Sequence, residues 1–122
     1  MLVREFECRS IEQAVIMLGG RPHRKVCGNT VLHKSDGGIS VLLHGHPIIF
    51  FRIDGSAMID SCGYRTNTTK HRLNRCLPNG WRVCQRSFEW YLWNFRDAIA
   101  NGAKHAETPF IDGMAVPQAV SV

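Results

Sequence analysis

Apolar and polar positions change their period several times along the chain, and each change marks an element. Residues 2–8 predict a short edge strand. Ser10 suits a helix N-cap, with Gln13 completing a capping box. Ile11, Ala14, Val15 and Leu18 then share one helical face, and Gly19-Gly20 ends the helix. The basic stretch 21–28 follows as a connector, because Pro22 discourages regular structure.

The central block alternates with period two. Strands are predicted at 29–34, 39–44, 48–53 and 57–61, separated by Asp36-Gly37-Gly38, Gly45 to Pro47 and Asp54-Gly55. Ile39, Val41 and Leu43 share a face. Segment 48–53 is apolar on both faces apart from Arg52, as a central strand requires. Connections this short imply an antiparallel meander. Beyond Gly63, a run of capping residue types leads into a predicted helix at 70–77, ended by Pro78-Asn79-Gly80. Its apolar stripe is Leu73, Cys76 and Leu77, and Thr68, His71, Asn74 and Arg75 lie opposite, with Arg72 on the flank. Segment 81–85 alternates like a strand. For 88–100, periodicity alone favours a helix between Ser87 and Gly102.

The fold class is therefore α+β: an antiparallel meander of about four strands plus a C-terminal hairpin, with two short helices packed on the sheet. The expected core is the strand at 48–53 with Val41, Leu43, Ile59, Leu73, Leu77 and Trp81. Residues 1–102 read as a single domain and 103–122 as an extended tail. A length of 122 residues, 44% apolar and 20% charged, suits one globular domain.

Charge changes this picture more than composition does. The net charge is +5 and unevenly spread. Residues 61–86 hold Arg65, Lys70, Arg72, Arg75, Arg82 and Arg86 without one Asp or Glu, and 21–34 hold Arg21, Arg24, Lys25 and Lys34 likewise. Such asymmetry attracts nucleic acid or another acidic surface. No signal peptide or membrane span is expected, since acids interrupt the N-terminus and the apolar runs are short. Five scattered cysteines, odd in number and never spaced Cys-x-x-Cys, fit reduced and mostly buried thiols.

Several runs resemble a family of small tailed-phage proteins. They are Gly28-Asn29-Thr30-Val31-Leu32, Val41-Leu42-Leu43-His44-Gly45 and Asp54-Gly55. Ser61-Cys62-Gly63-Tyr64-Arg65-Thr66-Asn67-Thr68-Thr69-Lys70-His71-Arg72-Leu73-Asn74 adds the most specific element, Thr-Thr-Lys-x-Arg-Leu-Asn. Trp81-Arg82-Val83, Trp90-Tyr91-Leu92 and Pro109-Phe110-Ile111-Asp112-Gly113-Met114 continue it, so the resemblance spans about 28–116. It implies a phage origin and a host-cytoplasm setting, but no activity and no catalytic residues. It also implies that 88–94 is the second strand of a hairpin, with a helix from Phe95, against the periodicity.

The leading chemistry is nucleic-acid contact. Arg and Lys neutralise phosphates, while Thr and Asn position the backbone or read base edges. Arg65, Thr68, Lys70, His71, Arg72, Asn74 and Arg75 supply those types together, Arg82 and Arg86 extend the set, and Arg21, Arg24 and Lys25 form a second group. The competing reading is a solvated helix face. Tyr64, Trp81, Trp90, Tyr91 and Trp93 lie among arginines, as in single-strand stacking platforms, although the competing reading places most of these rings in the core. One or two of Trp90, Tyr91 and Trp93 must occupy a second sheet face, as a partner-binding patch or a second buried layer. His44 and His46, with Cys62 or His71, offer a metal site only at unfavourable spacing. Cys62 with a histidine, or Asp54 with Asp60, is the minimum for catalysis, but no phosphate loop or metalloprotease motif supports an enzyme. No cofactor or metal is expected. The expected function is a non-enzymatic phage accessory protein that binds nucleic acid or a host nucleoprotein, such as an inhibitor of CRISPR defence. A structural homo-oligomer and a small nucleotide- or signal-hydrolysing enzyme stay open beside it.

Overall fold

The computed structural model describes residues 6–102 and 106–117. The chain runs α1 (Ile11–Leu18), β1 (His23–Cys27), β2 (Thr30–Ser35), β3 (Gly38–Leu43), β4 (His46–Arg52), β5 (Ala57–Ile59), α2 (Asn67–Cys76), β6 (Trp81–Arg86), β7 (Glu89–Asn94), α3 (Phe95–Asn101), β8 (Glu107–Pro109) and β9 (Met114–Val116). The class is α+β, as the patterning implies. The detail differs: among the described residues there are nine strands and three helices.

All strand pairs are antiparallel. One six-stranded sheet has the order β1-β2-β3-β4-β5-β9, and a three-stranded sheet has the order β6-β7-β8. The expected hairpin at 81–94 thus forms a sheet of its own. Tight two-residue loops set the meander's register. Leu43 pairs with His46 across His44-Gly45, and both loop residues have positive φ, the signature of a type I′ turn. Gly38 sits so close to β4 that a Cβ there would run into the Phe51 carbonyl oxygen.

The expected connector at 21–28 contains β1, which corrects the reading. Pro22 precedes the strand, and its carbonyl accepts from Lys34 N–H at 2.8 Å. β1 is an edge strand, where Pro is tolerated and cations discourage further pairing. Only Val26 of β1 is buried. In the expected tail, residues 106–117 carry β8 and β9, one added to each sheet. The expected N-terminal strand lies partly outside the described residues, and residues 6–8 are not strand.

The sheets and helices enclose one core. α1 packs on β3 and β4, and α2 on β6 and β4. Val41, Leu43, Ile59, Leu73 and Leu77 are buried, whereas Trp81 is half-buried. Ile53 falls past the end of β4 and is 74% exposed, and Val15 of α1 is 56% exposed, so neither joins the core. Among the described residues no helix is long and apolar enough to cross a membrane.

Candidate nucleic-acid interface

Helix α2 positions the central residues. Thr66 is its N-cap, its hydroxyl accepting from Thr69 N–H at 3.2 Å. Thr69, Leu73 and Cys76 are buried, so helical spacing leaves Lys70, His71, Asn74 and Arg75 on the other side. The neighbouring β6 is an edge strand, and Asn74 closes its free edge. Val83 N–H donates to Asn74 Oδ1 at 2.7 Å, and Asn74 Nδ2 donates to Val83 O at 3.0 Å. A side-chain amide thereby stands in for a missing strand. Both polar atoms of Asn74 are spent on the fold.

Alternation along β6 and β7 splits the aromatics. Val83, Trp90 and Leu92 point into the core. Arg82 pairs with Trp93, Cys84 with Tyr91 and Arg86 with Glu89 on the opposite face, and β8 sets Glu107 beside Trp93. Tyr91 and Trp93 are therefore the half-buried rings of the second face.

Between this face and α2 runs a trough. One part, about 480 Å³, is lined by Lys70, Asn74, Arg82, Val83, Cys84, Gln85, Trp93 and Glu107. The adjoining part, about 320 Å³, is lined by Arg9, His71, Asn74, Arg75, Trp81 and Arg82. Asn74 and Arg82 line both, so the two parts form one surface. Lys70 Nζ donates to Gln85 Oε1 at 2.9 Å. Arg82 is exposed and forms no salt bridge among the described residues. Arg75 lies 3.8 Å from Glu7. Arg9, which the sequence did not mark, donates to the carbonyls of Asn74 and Leu77 at 2.9 Å each and meets Glu7 at 3.3 Å. It caps the C-terminal end of α2.

The other predicted cations are placed elsewhere. Arg65 donates to Phe110 O at 3.3 Å, lies over the Trp90 and Phe110 rings and approaches Asp112 at 3.9 Å. Arg72 folds back over Phe6, 5.8 Å from its ring, and donates to Asn29 Oδ1 at 3.3 Å. Its Nε is buried without a hydrogen-bond partner among the described residues. Arg86 stacks on Tyr91 at 4.8 Å and pairs with Glu107 at 2.7 Å, and that carboxylate raises its pKa. Arg24 donates to Met17 O at 2.7 Å, and Arg21, Arg24 and Lys25 do not line the trough. Thr68 borders a separate cavity of about 380 Å³ with His44, His46 and Tyr64. The cations at 65–86 therefore do not form one patch; Lys70, His71, Arg75 and Arg82 do share a surface.

The partly exposed Cys62 and Cys84 thiols show the opposite of activation. Burial pushes the Cys62 thiol up, aided by Asp60, and burial and Glu107 raise Cys84. His44 is explained by its turn, and no three His, Cys, Asp or Glu among the described residues are grouped for a metal ion.

No curated protein and no solved structure matches the chain. The family model described as Kyanoviridae Gp96 protein matches residues 8–117. That range contains the trough and begins well before residue 28, so the segments that form α1 and β1 lie within the match. The chain belongs to the Kyanoviridae Gp96 family, and it is a phage protein.

Proposed function

We propose that this phage protein is a non-enzymatic accessory protein of the host cytoplasm that binds nucleic acid, free or within a host nucleoprotein, through the α2–β6 trough. The observation that carries the reading is the convergence of Lys70, His71, Arg75 and Arg82 on one concave surface with Trp93 in its wall. Cations along a groove track a phosphate backbone, and exposed ring faces beside them favour unpaired bases. Inhibition of a host defence such as CRISPR suits such a protein, because blocking a nucleoprotein needs only a stable scaffold and a complementary surface.

Fluorescence anisotropy with labelled single-stranded and duplex oligonucleotides tests it. Lys70, Arg75 and Arg82 give three phosphate contacts, so log K should fall with log salt at a slope of about −2 for a single strand. Reversing two charges, Lys70→Glu with Arg82→Glu, should abolish binding and leave Tm within a few degrees, since both side chains are at the surface. Absence of binding at low salt, or full binding by the reversed variant, refutes the reading.

A further inference from the structure

The β6–β7 hairpin ends in a turn whose residues suit neither its backbone nor water. Arg86 pairs with Glu89, leaving Ser87-Phe88 as the two-residue loop. Their φ values are 52° and 67°, the left-handed region that type I′ turns reserve for Asn and Gly. A bulky side chain there is an outlier that the surrounding structure must hold in place. Phe88 is also 94% exposed, the most exposed of the large apolar residues described. Asn-Gly would serve the fold better at both positions. What Phe88 offers instead is a ring open to solvent at the hairpin tip.

Its place on the fold is close to the trough. Gln85, at the end of the trough with Lys70, lies three residues from Phe88, roughly 10 Å along the chain. Tyr91 and Trp93 follow on the same hairpin, on its outer face. At the tip itself Arg86 is paired with Glu107 and faces Glu89, so among the described residues its charge is already taken up. The apolar contact the tip offers is the Phe88 ring.

We infer that Phe88 is a base-stacking element: the hairpin tip inserts its ring against an unpaired base of the single strand whose backbone the trough holds. This rests on the nucleic-acid reading above. The tight two-residue turn ties the Phe88 backbone directly to the paired strands, so little backbone freedom is lost on binding.

The test uses the full chain and a single-stranded oligonucleotide carrying 2-aminopurine, whose fluorescence falls when it stacks. Wild-type protein should quench it. Phe88→Gly should weaken binding by about 5- to 150-fold, the range of one lost base–aromatic stack, and remove the quench. Phe88→Trp should restore both. Because Gly suits the turn, Phe88→Gly should also raise Tm, so weaker binding cannot be blamed on misfolding. Oligonucleotide binding by Phe88→Gly within twofold of wild type, while Lys70→Glu with Arg82→Glu abolishes it, overturns the stacking role and spares the trough. Unchanged oligonucleotide binding with loss of a host protein partner overturns it in favour of a protein pocket. If wild-type protein binds no oligonucleotide, the trough reading falls, and this inference falls with it.

Discussion

Replacing Asn74 by Ala tests the most economical device in the fold. The substitution costs α2 nothing in helix propensity, because Ala is the better helix former. It strips two partners from Val83, a residue only 1% exposed, whose N–H and C=O otherwise meet Asn74 at 2.7 and 3.0 Å. A backbone group left unsatisfied costs about 1–3 kcal/mol, toward the lower end where water can enter, and the trough beside Asn74 admits water. Two such groups give a loss of roughly 2–3 kcal/mol. That is a large share of the 5–15 kcal/mol typical of a domain, and for a chain of this size it lowers Tm by about 10 °C. Equilibrium urea unfolding reads the loss, and hydrogen exchange locates it: the Val83 amide should lose protection while β7 amides keep theirs. Because the Asn74 amide is occupied internally, the folded variant should bind oligonucleotide as wild type does. A loss below 0.5 kcal/mol with Val83 still protected would refute the strand-substitute role.

The remaining predictions concern titration and charge. Burial pushes the Cys8 thiol from 9.0 up to about 12 and raises Cys76 further, so both should resist alkylation until the chain unfolds. A folded pKa above the unfolded one means stability is complete below pH 9 and lost as pH rises, at about 1.4 kcal/mol per pH unit for each thiol; a denaturant midpoint flat from pH 8 to 11 contradicts this. Glu107→Gln releases Arg86 from its 2.7 Å ion pair and removes a carboxylate from the trough, so oligonucleotide affinity at low salt should rise several-fold and the salt slope should steepen; weaker binding would mean that the ion pair organises the site.

What the sequence reveals follows from how local the cause is. The Ser10 cap is local, its hydroxyl accepting from Gln13 N–H at 3.1 Å, although Gln13 Oε1 bonds Arg9 N–H rather than completing the box at Ser10. The meander is legible because Gly sits in each of its turns. β1 is hidden because one buried valine among polar residues leaves no alternation to detect. β8 and β9 are three residues each, held by partners far away in the chain. The 88–100 segment misleads periodicity because a strand passes directly into α3, with Asn94 Oδ1 accepting from Arg96 N–H at 2.9 Å as the cap. The Ser87-Phe88 turn carries none of the usual residues, and only the family resemblance places a strand after it. Asn74 shows the same limit at the site: its amide type suggests base reading, and only the fold reveals that Val83 uses it.

Charge counting fails for a related reason. Arginine's planar, weakly hydrated group stacks on rings and satisfies several acceptors at once, so this fold uses Arg9, Arg65, Arg72 and Arg86 as internal ties. Among the described residues, Lys70, Arg82 and Arg75, the last partly neutralised by Glu7, are the cations left to face the trough. About three phosphate contacts place purely electrostatic binding in the weak, non-specific range, with Kd on the order of 10⁻⁴–10⁻⁶ M at physiological salt. On the proposed reading, phage function therefore requires a second source of affinity. One lies within the chain, in a ring stacked on a base at the hairpin tip. The other lies outside it, in a host protein that already holds the nucleic acid and presents it to the trough. Either source differs from the trough's cations in salt response, because stacking and protein contacts persist where phosphate contacts fade.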